Sequence, residues 1–213
     1  MPEIRASGGR LIVLVGLMGS GKTTVGKKVA KLLGRRFMDG DVEIEARTGR
    51  SVAAWFAEDG EAAFRAAEGS ILAAVAEEAE IEPLVFGAGG GVVVSPANRA
   101  LLSGPHVSVI YLHADPTFLV SRAHAKPHRP LLTGDPATVL VGMYLERDEW
   151  YRSVADVVIE VRPAHESGQK PKWRLAEQVV ESLLSLGLVD SSEAPGLDRQ
   201  VLPAVDGTGQ VPS

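Results

Sequence analysis

An unbroken apolar run from Leu11 to Val15 ends in Gly16-Leu17-Met18-Gly19-Ser20-Gly21-Lys22-Thr23, and a helical pattern follows at once. No other feature constrains the chain as strongly. The run carries three β-branched residues and no polar interruption, which predicts a strand buried on both faces, as in a parallel sheet under helices. The eight residues after it fit G-x-x-x-x-G-K-[ST] in full. Glycines let backbone N–H groups converge on an anion, and the following helix turns its positive end to the same point. A lysine there reaches the outer phosphates of a nucleotide, and the hydroxyl beside it is placed to ligate a divalent cation. Ordinary residue frequencies give this pattern about a 1% chance in a chain of such length, and here it also stands between a predicted strand and a predicted helix. Gly19, Ser20, Gly21, Lys22, Thr23 and Thr24 are therefore the expected phosphate contacts.

Composition removes other chemistries. The 213 residues include no cysteine, so thiol nucleophiles, Cys-ligated zinc and disulfide frameworks are excluded. Lys and Arg total 22 against 27 Asp and Glu, a net charge of −5, which argues against binding a nucleic-acid backbone through a basic face. The apolar run is too short to span a bilayer, and the residues ahead of it do not form a signal peptide. The expectation is a cytoplasmic protein with no membrane or nucleic-acid partner. GTPases and ATPase motors share the phosphate loop. However, the chain has no N-K-x-D guanine signature and no long apolar strand ending in Asp-Glu, and it is small for a motor. Transfer of the terminal phosphate to a small molecule is the favoured reading.

Further along, Phe37-Met38 enters the acidic turn Asp39-Gly40-Asp41, and helical patterns run over 42–47, 51–58 and 60–79. Strand patterns recur at 84–86, 107–112 and 157–161, with helices expected over 137–152 and 172–186 and a helix opened by Asp115-Pro116. Strands alternating with helices predict an α/β fold around a parallel sheet covered on both faces. Residues 123–136, polar and proline-bearing, read as an exposed mobile lid. After Leu188 the composition shifts to Pro, Gly, Ser and Asp, which reads as a disordered tail over 189–213. Residues 1–10 form an N-terminal extension, and 11–188 a single catalytic domain.

Several separated motifs arrive in an order that resembles the shikimate kinase family. They are Phe37-Met38-Asp39-Gly40-Asp41, Gly49-Arg50-Ser51-Val52, Phe64-Arg65 with Glu68, Gly89-Gly90-Gly91 after a strand, Arg129-Pro130-Leu131-Leu132, and Arg147 with Tyr151 ahead of Ala155-Asp156. The likeness runs from about Leu11 to Leu186; family members often carry Thr where this chain has Ala88. The resemblance implies a P-loop fold like that of nucleoside monophosphate kinases, with three α/β/α layers, a central parallel sheet of about five strands and a lid. It implies ATP-dependent, Mg2+-dependent phosphorylation of the 3-hydroxyl of shikimate, on the route to chorismate and aromatic amino acids, by a monomer.

The residues suit that chemistry. A substrate with a carboxylate and several hydroxyls calls for a cationic fork, which Arg65 and Arg147 can supply bidentately. Asp41 is the acceptor for ring hydroxyls and for the proton of the attacking one, while Asp39 joins Thr23 as a candidate metal ligand; the family pattern assigns these roles to the matching positions. Gly89, Gly90 and Gly91 allow backbone donors to approach a ligand closely. Arg129 takes from the resemblance the role of stabilising charge on the transferred group, with Lys22 and Asp41 as the other catalytic residues. Arg122 aligns with an adenine-stacking position, and Pro163 is the candidate for the other adenine face. Phe56 and Phe64 are expected to wall the substrate pocket, whereas Trp55 and Trp150 read as packing. The five histidines show no metal-ligand spacing and read as surface residues. Two alternatives stay open: a kinase for another polyol or sugar acid such as gluconate, and a non-catalytic nucleotide-binding regulator that kept the fold.

Overall fold

The computed structural model describes residues 9–123, 135–168, 170–194 and 197. The chain enters through β1 (Leu11–Val15), whose five side chains are buried without exception. Residues 16–21 then wrap the phosphate loop, and α1 (Lys22–Leu33) follows, stopped by Gly34 in a left-handed conformation. Next come β2 (Arg36–Asp39), α2 (Gly40–Thr48), α3 (Val52–Glu58), α4 (Gly60–Ile81) and β3 (Leu84–Gly87). The second half runs α5 (Pro96–Leu102), β4 (Val107–His113), α6 (Pro116–Ala123), α7 (Pro136–Val154), β5 (Val157–Glu160), α8 (Val161–Glu166) and α9 (Pro171–Ser185).

Among the described residues the strands form one five-stranded sheet in the order β2-β3-β1-β4-β5, every pairing parallel. The most apolar strand sits in the middle. Leu11 to Val15 faces helices on both sides and pairs with β3 on one edge and β4 on the other, so each buried side chain contributes about 1.5–3 kcal/mol relative to exposure. The chain fills one side of β1 first and the other afterwards. The crevice at the carboxyl ends of β1 and its neighbours is where ligands gather in such sheets. The phosphate loop follows β1, the acidic turn follows β2, and the glycine run follows β3, so all three motifs open on that one edge.

Local chemistry explains the starts of the helices. The carboxylate of Asp39 accepts from the N–H groups of Asp41 and Val42, Ser51 caps α3, Ser95 caps α5 and Asp135 caps α7. Asp115 accepts from the Phe118 N–H, and Arg162 of α8 grips the same carboxylate with two hydrogen bonds at 2.8 and 2.6 Å. The sequence pattern carried β5 to residue 161. In the structure Val161 already begins α8, a short helix that the alternation did not reveal.

Two further expectations change. The packed body extends past both proposed boundaries. The Gly9 N–H donates to the Leu188 carbonyl, Val189 and Ala194 are buried, and Asp190 and Glu193 form a capping box around a 3-10 turn at Ser191–Glu193. Arg35 ties this together by donating to the Gly9 carbonyl at 2.7 Å and to the Glu193 carboxylate at 2.5 Å. A single capped turn has no period to detect. Residues 198–213 lie outside the described residues. The second change concerns His113, read as a surface residue. It is buried at the end of β4, with Nδ1 2.7 Å from a Glu160 carboxylate oxygen and Nε2 3.1 Å from the Tyr144 hydroxyl. Among the described residues, no helix is long and apolar enough to cross a membrane.

Candidate active site

The carboxyl edge of the sheet opens on a cleft of about 1050 Å³ that brings the two halves of the constellation together. Gly19, Gly21, Lys22, Thr23 and Thr24 line one part of it; Asp41, Arg65, Gly89–Gly91 and Arg147 line another.

At the phosphate loop, Gly16, Gly19 and Gly21 have φ of +139°, +89° and +108°, conformations that residues with side chains rarely adopt. Lys22 Nζ donates to the carbonyls of Gly16 at 2.7 Å and Leu17 at 3.1 Å, so its ammonium lies over the loop's concave side. Ser20, expected as a phosphate contact, is buried in the loop itself, and its hydroxyl oxygen does not line the cleft. The Thr23 hydroxyl donates to Asp39 Oδ2 at 2.7 Å. The two oxygens predicted to share a cation are thus already adjacent, and they are the hard donors that Mg2+ prefers. Among the described residues, no group of three or more His, Cys, Asp or Glu side chains could hold a metal. A cation here would rest on these two side chains and phosphate oxygens, the usual arrangement for Mg2+.

At the other end, α4 and α7 each deliver an arginine. Arg65 bonds Glu68 one turn later at 3.0 Å and Glu61 one turn earlier at 2.9 Å. Burial works against its charge, but the two carboxylates outweigh that and hold its pKa above the ordinary value. Glu68 is 5% exposed; burial pushes its carboxyl up, opposed chiefly by Arg65, and its second oxygen, Oε1, is buried without a hydrogen-bond partner. Arg147, also buried, donates to the carbonyl of Gly90 at 3.3 Å and to Glu146 at 3.1 Å. Asp41 is open to solvent on one side, yet the cleft walls displace enough water to raise its carboxyl above the usual range. Lys22 is the largest opposing influence, while Asp39 reinforces the rise. Phe56 and Phe64 lie 4.8 Å apart and line the cleft beside Arg65. Trp55 and Trp150 pack at the surface under Arg50 and Arg99 respectively.

Not every expected residue joins the cleft. Pro163 lies exposed in α8 and does not line it; Lys172, in the first turn of α9, does. Arg129, the side chain of Arg122, and most of the lid segment lie outside the described residues. Glu68 was visible only as part of a motif. Its spacing of three from Arg65 on a helix was the signal that the two side chains meet.

A parallel sheet with a phosphate loop at its centre, facing a pocket of paired arginines and a desolvated aspartate, defines a P-loop phosphotransferase for a small anionic acceptor. The family model described as Shikimate kinase matches residues 18–185, and the chain belongs to the shikimate kinase family. A shikimate kinase of Aromatoleum aromaticum is 45% identical over 151 residues, covering 70% of this chain and 84% of that protein. One from Chromobacterium violaceum is 39% identical over 183 residues, covering 85% and 96%. The solved structure of a shikimate kinase from Acinetobacter baumannii in complex with shikimate is 34% identical, covers 87% of this chain and 98% of its own, and superimposes with a TM-score of 0.74.

Proposed function

We propose that this chain transfers the γ-phosphoryl group of ATP to the 3-hydroxyl of shikimate, giving shikimate 3-phosphate and ADP in the formation of aromatic amino acids. The observation that carries the reading is the single cleft onto which Lys22 and Thr23 open together with Arg65 and Arg147. A nucleotide tail on the loop and a carboxylated ring between the arginines then lie end to end, and holding them so replaces a bimolecular encounter with an oriented one.

In the reaction the shikimate oxygen bonds to phosphorus as the bond to the ADP oxygen breaks. The proton of the attacking hydroxyl passes to Asp41, whose raised carboxyl is a better base than an ordinary aspartate. Lys22 follows the outer phosphates, and the loop amides and the start of α1 stabilise the charge on the equatorial oxygens. Thr23 and Asp39 are the residues that would hold Mg2+, which supplies neutralisation of phosphate charge when bound. Arg129 takes the remaining charge-stabilising role, and Arg122 and Pro163 remain candidates for the adenine. Gly89, Gly90 and Gly91 border the carboxylate position, with Phe56 and Phe64 as the apolar wall. We further propose that the protein works as a cytoplasmic monomer.

ADP release separates this reading from its rivals. Turnover that depends on shikimate and ignores gluconate is expected. Equal turnover with gluconate favours a sugar-acid kinase, and the absence of turnover with either acceptor favours a nucleotide-binding regulator.

A further inference from the structure

Tyr151 lies one turn beyond Arg147 on α7, so the two side chains leave the same face of the helix. Its residue is wholly buried, and its ring stacks on Tyr111 of β4 with centroids 4.9 Å apart. Its hydroxyl donates to the carbonyl oxygen of Gly90, the atom that also accepts from Arg147 Nη1. One oxygen in the middle of the glycine run is therefore held by two residues of α7. The Gly90–Gly91 peptide is trans, and in a planar trans peptide the carbonyl and the N–H point in opposite directions. Holding the Gly90 oxygen toward α7 turns the Gly91 N–H away from it and fixes the backbone beside which Arg65 lies.

We propose that Tyr151 is a positioning residue for the substrate carboxylate: its hydroxyl anchors the Gly90 oxygen and thereby orients both the glycine loop and the Arg147 guanidinium bound to that oxygen. This rests on the reading of Arg147 as a carboxylate ligand. Burial pushes the Tyr151 phenol above its usual range, so the hydroxyl remains a donor at working pH. Tyr111 supplies an internal comparison, because its hydroxyl donates to Asp148 at 2.8 Å rather than to the loop.

Steady-state kinetics on Tyr151→Phe, Tyr111→Phe and Arg147→Ala in the full chain test the idea. Tyr151→Phe removes one oxygen and keeps the ring; losing its hydrogen bond should raise the KM for shikimate about tenfold. The KM for ATP and kcat should stay within about twofold, since the lost contact bears on binding of one substrate. Tyr111→Phe should leave the shikimate KM within about twofold, and adding Tyr151→Phe to Arg147→Ala should add little, because both act through one oxygen. An unchanged shikimate KM in Tyr151→Phe, with a raised one in Arg147→Ala, overturns the proposal and leaves the carboxylate reading standing. An unchanged KM in Arg147→Ala overturns both. Equal increases in the two Tyr→Phe variants, or a lowered thermal midpoint with matching losses for ATP and shikimate, assign Tyr151 to packing and overturn the proposal.

Discussion

A β-carbon on Gly91 would stand 1.9 Å from Nη1 of Arg65. One on Gly89 would stand 2.2 Å from Oε1 of Glu68, so the glycine run after β3 is a socket for the Arg65–Glu68 pair. Gly91→Ala should force the guanidinium out of its bonds with Glu61 and Glu68 without touching the phosphate loop. The KM for shikimate should rise by roughly ten- to a hundredfold, with ATP affinity preserved, as expected when one charged contact is misplaced. Steady-state kinetics with each substrate varied in turn checks this. An unchanged shikimate KM would mean that Arg65 does not meet the substrate from this position.

Arg65→Ala should act on the same parameter more strongly, since it removes the donor fork itself. It should also leave Glu68 buried without its main counter-charge, so that the carboxyl, already raised by burial, rises further. Calorimetric titration with shikimate and with a non-hydrolysable ATP analogue separates the two affinities. Comparable losses for both ligands contradict the assignment.

Asp41 links turnover to pH and to stability. Its carboxyl is raised chiefly by desolvation, so the acid limb of kcat/KM should lie above the ordinary aspartate value of about 4. Asp41→Asn should lower kcat by about 10²–10⁴. The sign of the stability effect follows from linkage. A folded-state pKa above the unfolded one favours the folded protein fully below the unfolded pKa, and this contribution is lost as pH rises through the folded pKa. Asp41→Asn should therefore melt higher than the parent at pH 7, and the advantage should fade near pH 4. Melting curves across that range decide the matter; a variant less stable at pH 7 would show that the carboxylate is not strained by its surroundings.

The end of the packed body gives a separate prediction. Removing residues 190–213 takes away Glu193 and leaves the Arg35 guanidinium, whose side chain is 5% exposed, with only the Gly9 carbonyl on that side. The loss should be about 1–2 kcal/mol, or roughly 2–8 °C in melting temperature, with kcat unchanged. A fall in kcat in the shorter protein would tie this seam to the cleft.

Much of the fold could be read because its signals are local. The LIVLV run, the glycine-rich loop and the Asp115-Pro116 helix start each declare an element within a few residues, and the alternation of periods orders them. The phosphate end of the cleft was legible for the same reason. The other end depended on partners far apart in the chain. Nothing near Tyr151 marks it as the anchor of Gly90, 61 residues away, and nothing near Gly89 signals that Glu68 occupies the space a side chain would need. His113 carries no local signal of burial because its partners, Glu160 and Tyr144, come to it only across the sheet and from α7. The short helix α8 escaped because six residues carry too little periodicity to register.

The hydrogen bond from Gly9 to Leu188, with Arg35 spanning Gly9 and Glu193, joins the residues that lead into β1 to those that follow α9, at the end of the strands opposite the cleft openings of β1, β2 and β3. A circularly permuted gene in which a short linker joins Glu193 to Gly9, and which opens instead at the turn between α5 and β4, could encode the same sheet order and the same ligand edge.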